Sequence, residues 1–481
     1  MIESTVPALA VVGATILDAV SDKPLEGHTL LAEGGRIRAI ARPGEIALPT
    51  GTRVIDASGK FLIPGLMNAN VHLFGLHPVE GYSRYLDRYE DLILESAQVA
   101  LQNGLTTVFD TWGPRRALMA VRDRINQGAE VGSRIFCAGN IVGFDGPFSA
   151  DFLARAPEVV SAAFARRINA QFVENVGRHL MWLTPEKVAQ EVSQYLGRGT
   201  DFVKYASNDH YPGAFLAFSP AVQAAIVEAA HRANTTAQAH SMSVEGLRIA
   251  IEAGCDLVTH CNITGPTPIP QSTLDLMERH GTGAVIFPFT QKRFAWILEN
   301  VSETERVLWQ SSDVNARNLI GAGVRLLLAN DGTMCSPDWL TDPQWGNTWI
   351  TGPGEDNLCR LDTGHFSWFK AMEEKGCRPL DLLRAATRNI ALAYGKDNDL
   401  GTVETGKIAD LVILDGNPLQ CSENYRRIAF VIKEGQVIDR GALPSKPLVT
   451  RGVPAAMPEE AAYIPFITGE RLPLCPTCLG R

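Results

Sequence analysis

Short apolar runs broken by glycine-containing turns fill residues 8–63: LAVVGATIL, HTLLAEGGRIRAI and GTRVIDASGKFLIPG. Runs of that length between turn residues predict strands and a small β-rich unit. The same texture returns near the far end, in KIADLVILDG and RRIAFVIKEGQVIDRG. Pairing of the two pieces into one domain would bring the ends of the chain together.

Between them the rhythm changes to strand then helix. Eight apolar strand candidates follow one another: PGLMNANVH, GLTTVFDT (104–111), RIFCAGN (134–140), DFVKYAS (201–207), TTAQAHS (235–241), DLVTHC (256–261), GAVIFPF (283–289) and VRLLLANDG (324–332). Helical patterns such as SPAVQAAIVEAAHRAN and VEGLRIAIEAG separate them. Strands and helices alternating in this number favour a TIM (β/α)8 barrel. A doubly wound open sheet is the alternative, but no G-x-G-x-x-G turn follows an early strand. Two connections exceed plain joints: 141–200, which holds several helical segments, and 333–370, which holds Trp339, Trp345, Trp349 and Trp368. The expected division is 1–62 with 390–450 as the β unit, 63–389 as the barrel, and 451–481 as an irregular Pro-rich tail or an arm on a partner subunit.

Composition narrows the class. With 45% hydrophobic and 20% charged residues the chain reads as a soluble globular protein. A net charge of −9, with no basic run above it, argues against a nucleic-acid surface. Nine scattered cysteines do not make a secreted disulfide framework. ALAVVGATIL reads as a strand and not as a signal peptide, and no apolar run approaches the roughly 18 residues of a membrane span. The expectation is a cytoplasmic enzyme acting on a small molecule, without nucleic acid or membrane, and forming a homo-oligomer. Cys475 and Cys478 form a lone CxxC with no second pair and no nearby histidine, a weak basis for a zinc or redox site.

In a parallel barrel the strands are buried on both faces, so a polar residue inside one needs a reason. Catalytic groups belong at the carboxyl ends. Asn70 and His72, Lys204, His240, His260 and Asp331 stand at five such ends. Alternation places Asn68, Asn70 and His72 on one face, Lys204 with Phe202 and Ala206, and Asp331 with Ala329 and Leu327. Neutral imidazoles and a carboxylate suit zinc, cobalt, manganese or iron with an open position for water. A lone strand-end histidine is commonly a hydrogen-bonded core group, and Asp331 before Gly332 is also a turn residue. A buried ammonium such as Lys204 is costlier to explain away. His210, just past the fourth strand, reads as a solvated loop residue or a substrate contact. Trp339, Trp345 and Phe366 are candidate pocket walls, with packing of the loop as the plain alternative.

GKFLIPGLMNANVHL, GLTTVFD, DFVKYAS, AQAHS, LVTHC and LLANDG, in this order, resemble the successive signatures of the amidohydrolase superfamily. The closing LRAATRNIALAYG…DLGTVETGKIADLVILDGNP resembles its imidazolonepropionase- and dipeptidase-like members. The likeness runs from about residue 8 to residue 440. It implies a distorted TIM (β/α)8 barrel plus a small β-sandwich domain formed by both chain ends. It also implies His72 as ligand of a first metal position, His240 and His260 as ligands of a second, Lys204 as a carboxylated bridge, and Asp331 as ligand and general acid/base. Asn70 departs from the pattern, standing where a second imidazole is usual, and Asn68 replaces the usual Asp. An amide oxygen is a weaker donor than imidazole towards borderline metals, so one divalent ion (Zn, Co or Mn) or an unequal pair is implied. The Asn-x-His variant is similar to the branch that contains molinate hydrolase and the phenylurea hydrolases. That resemblance implies hydrolysis of a thiocarbamate, phenylurea or carbamate-like bond. A dipeptidase or cyclic-amide hydrolase is the second reading, and a non-catalytic interaction protein the third.

Overall fold

The computed structural model describes residues 7–75, 79–154, 156–210, 215–334 and 356–450. Five strands open the chain: β1 (Leu9–Ile16), β2 (Leu25–Glu33), β3 (Arg36–Ala41), β4 (Arg53–Asp56) and β5 (Phe61–Pro64). Centrally lie β6 (Leu66–His72), β7 (Leu105–Asp110), β8 (Arg134–Cys137), β9 (Ile141–Val142) and β10 (Val203–Ala206). These are followed by β11 (Ala237–His240), β12 (Leu257–Thr259), β13 (Gly283–Ile286), β14 (Leu326–Leu328) and β15 (Gly332–Thr333). β16 (Leu411–Leu414), β17 (Ile428–Lys433) and β18 (Gln436–Val437) close the described chain.

Strands from both ends do pair. Their order is β18-β17-β16-β5-β1-β2-β3 with β4 beside β1, and β16 runs antiparallel to β5 with Leu411 opposite Pro64. Hydrogen bonds join all eight into one sheet. This sheet has its own apolar core, which includes Val11, Leu30, Leu62, Leu411 and Ile413.

The central strands form two parallel sheets, β15-β6-β7-β8 and β14-β13-β12-β11-β10-β9, giving a TIM-barrel-like arrangement. Every residue of β7, β10 and β11 is buried, as expected of strands covered on both faces. All eight predicted strands are present; the eighth is split, β9 follows the third within the expected connection, and among the described residues the hydrogen-bonded ring does not close. The chain crosses between the sheets through Ala138–Asn140 and again through Ala329–Asp331.

Each break has a local cause. Gly139 takes a left-handed φ of +74°, and a side chain there would collide with the Tyr195 hydroxyl. That hydroxyl donates to the Ala138 carbonyl at 3.0 Å and accepts from Asn140 N–H at 2.8 Å, replacing the missing ladder bonds. At the other break Asp331 is itself left-handed, at φ +48°.

The helical patterns are realised as Pro220–Arg232, capped by Ser219, and Val244–Glu252, capped by Ser243. The long 141–200 connection carries helices Ala162–Val173 and Pro185–Leu196. No helix among the described residues is long and apolar enough to cross a membrane. The six described cysteines are free thiols, and Cys475 and Cys478 lie outside the described residues.

Candidate active site

The carboxyl ends of the parallel strands carry a buried polar cluster. β6 places Asn68 and Asn70 in the interior, both without solvent exposure, and ends on His72. β10 contributes Lys204 and β11 ends on His240, each about 1% exposed. His260 follows β12, and Asp331 lies between β14 and β15.

Asp331 departs from the alternation expected of it, and His260 likewise lies beyond the end of its strand. β14 stops at Leu328 and β12 at Thr259, and both site residues take left-handed backbone conformations, at φ +48° and +60°. Non-glycine residues hold that region only when the surrounding structure over-determines it. Here β15 pairs with β6, Gly332 opposite Val71 and Thr333 opposite His72, which brings Asp331 beside the first strand. The amide of Asn68 donates to Asn330 at 2.7 Å and pins the same turn.

Asp331 is the hub of the cluster. His72 Nε2 lies 3.4 Å from its Oδ1, and His260 Nδ1 lies 3.8 Å from its Oδ2. The Asn70 amide N–H also donates to it, while the Asn70 oxygen accepts from Thr111 and from Lys204 Nζ at 3.3 Å. Lys204 also donates to the Thr111 hydroxyl at 3.1 Å. Asn70 therefore ties the acid to the lysine through its two amide ends.

Burial works to raise the Asp331 pKa, but His260 and His72 outweigh it and hold the carboxyl well below the ordinary range. Burial, joined by Lys204, pushes His260 down to about 3 despite Asp331, and burial with the His260 and His210 rings takes His240 well below the usual imidazole range. Neutral imidazoles facing a carboxylate are the protonation states a metal site needs.

The donor chemistry fits a divalent ion. Among the described residues, both ring nitrogens of His240 and Nδ1 of His72 are buried with no hydrogen-bond partner, and a neutral imidazole so placed has one nitrogen lone pair to offer an ion. Among the described residues, no group of three His, Cys, Asp or Glu side chains is already arranged to hold an ion. A complete shell would draw on a further donor or on small side-chain shifts; Asn70 touches Asp331 directly and Lys204 lies behind it.

His210 is not a solvated loop residue. It is 9% exposed, and its ring lies 5.1 Å from that of His240, between Phe144 and Phe152. Phe366 packs against His365 and under the Arg426 guanidinium. His365 in turn reaches the carbonyl of Asn103, at the amino end of β7, opposite the end that carries the cluster. Trp368 is a core residue whose indole donates to the Ile286 carbonyl at 3.0 Å. Trp339, Trp345 and Trp349 lie outside the described residues.

Three neighbours were not anticipated: Asp110, Thr111 and Trp112, at the end of β7. Burial pushes Asp110 up to about 8, although it accepts from Leu73 N–H at 2.7 Å and Trp112 N–H at 3.2 Å. It thereby ties the end of β6 to β7 next to His72. The signal was available, since GLTTVFDT carries a carboxylate at the end of an otherwise apolar strand.

The sequence model described as "Amidohydrolase family" matches residues 61–439. Among solved structures, molinate hydrolase superposes with a TM-score of 0.85 at 36% identity, covering 93% of this chain and 98% of that one. Phenylurea hydrolase B gives 0.86 at 36% identity, covering 92% and 99%. Ochratoxinase of Aspergillus niger is 25% identical over 75% of this chain and 71% of its own length.

Proposed function

Because the chain belongs to the amidohydrolase family and is a hydrolase of carbon–nitrogen bonds, we propose that it cleaves the carbonyl C–N or C–S bond of a neutral N-substituted urea, thiocarbamate or carbamate-like compound. The observation that carries this reading is the 36% identity to molinate hydrolase and phenylurea hydrolase B across more than nine-tenths of both chains. The Asn70–His72 pair on β6 accords with it.

In this reading His72, His240, His260 and Asp331 hold one or two divalent ions, zinc, cobalt or manganese. Lys204, carboxylated, adds an anionic oxygen donor and Asn70 a weak neutral one. Such an ion, when bound, polarises a carbonyl and eases ionisation of water. That matters for ureas and thiocarbamates, whose carbonyl is flanked by two heteroatoms and is a poor electrophile.

The chain's own residues handle the protons. Asp331 is ionised at neutral pH, so it accepts the proton of an attacking water and delivers it to the departing nitrogen or sulfur. Asn70 orients that carboxylate by donating to it. His240 and His260, kept neutral by burial, offer lone pairs instead of competing for the proton. We read residues 63–389 as the catalytic unit and 1–62 with 390–450 as its companion. We read the protein as cytoplasmic and homo-oligomeric.

The test combines metal analysis of purified protein with product assays on molinate, a diuron-like phenylurea and a dipeptide panel. Release of aniline or thiol by metal-containing protein is expected. Turnover confined to dipeptides would overturn the proposal in favour of the peptidase alternative.

A further inference from the structure

A series of rings runs from His72 to His240. Trp112 meets His72 edge-on, with 6.1 Å between centroids. Its indole is clamped by Phe152, stacked at 4.4 Å and 24°, and by Phe172 at 5.2 Å. Phe152 leads on to His210 at 4.9 Å, and His210 to His240 at 5.1 Å. Aromatic side chains packed on one another are ordinarily core, and these contacts alone would say no more.

One atom does not suit a core. The indole Nε1 of Trp112 is buried and has no hydrogen-bond partner among the described residues, in a residue only 4% exposed. The group is a donor only, and a buried indole N–H normally finds an acceptor. Trp368 shows the usual outcome in this same protein, with its N–H on the Ile286 carbonyl. A bare donor held rigidly beside His72 is ready for an acceptor that arrives with a ligand.

Building on the urea and thiocarbamate reading above, we infer that Trp112 is a substrate-binding residue whose indole N–H donates to the scissile carbonyl oxygen. That oxygen is the acceptor that ureas, carbamates and thiocarbamates share. It gains negative charge as the carbonyl is attacked, so a fixed donor binds the transition state more strongly than the ground state. Phe152 and Phe172 act as positioning residues, since they fix the indole plane before substrate arrives.

Trp112→Phe keeps a ring in the stack and removes the N–H. Expected is a fall of about tenfold in kcat/KM towards a phenylurea, most of it in kcat, with metal content and Tm unchanged. Retention of kcat/KM within about twofold would overturn the inference, as would a Tm several degrees lower with loss of metal, which marks a packing role. A second measurement leaves the chain intact. Of the eight indole 15N–H resonances, the one absent in the variant should move downfield when phenylurea is added to metal-stripped protein. Saturable phenylurea binding by calorimetry without movement of that resonance would also overturn it. If the unaltered enzyme hydrolyses no urea or thiocarbamate while the resonance still moves, the substrate reading falls and the Trp112 donor stands.

Discussion

Asn70→Ala cuts the link between the acid and the lysine of the cluster in one step. The substitution removes the donor to Asp331, the acceptor of Lys204 at 3.3 Å and the acceptor of Thr111. Two of these bonds involve a charged partner and one is neutral, so the gross loss is about 4–7 kcal/mol. The vacated space is roomy and polar enough for a water that restores part of it, leaving roughly 2–5 kcal/mol. Proteins of 150–250 residues lose about 2–4 °C per kcal/mol and longer ones less, so a fall of roughly 4–8 °C is expected here. Calorimetry on metal-stripped protein is the assay, because a bound ion would rearrange the same side chains. Thr111→Val removes one bond from the charged Lys204 and one neutral bond to Asn70, and on the same scale should cost about 2–4 kcal/mol. If Asn70→Ala melts within about 1 °C of the unaltered protein, Asn70 is not the keystone of the cluster.

Two other outcomes follow from the same geometry. Lys204→Ala should bring turnover to background and lower the metal-to-protein ratio measured by elemental analysis; normal rates with full metal would exclude Lys204 from the shell. His365 lies away from the site, and its pKa is lowered to about 3 by burial, although the Asn103 carbonyl works the other way. The unfolded chain therefore takes up a proton below about pH 6.5 that the folded chain refuses until about pH 3, and stability falls across that window as pH drops. His365→Gln, which keeps an N–H for Asn103, should reduce the slope of unfolding free energy against pH by about 1.4 kcal/mol per unit between pH 6 and 4. An unchanged slope in urea titrations would show that His365 is not the group responsible.

Much of the architecture was legible because its signals are local. The alternation of apolar runs and helical patterns located all eight central strands, and the shared texture of the two ends anticipated their pairing. The polar residues at strand ends marked His72, Lys204, His240, His260 and Asp331 as a group. Asp110 escaped only because the rule that a polar residue at the end of a buried strand needs a reason was not applied to β7. Trp339, Trp345 and Trp349 lie outside the described residues; among the described residues, rings that meet His72 and His240 include Trp112, Phe144 and His210.

By itself, then, the sequence determined the family, the order of the strands and the residue types gathered at their carboxyl ends. Each of these is encoded in periodicity and in short motifs. Only the tertiary structure decided that Asp331 and His260 stand on left-handed turns outside the ladders, that Asn70 bridges acid and lysine, that His210 is buried beside His240, and that the Trp112 indole is left without an acceptor. The physical reason is that each of these depends on how strands distant in sequence close around a common axis, and no stretch of chain read alone contains that distance.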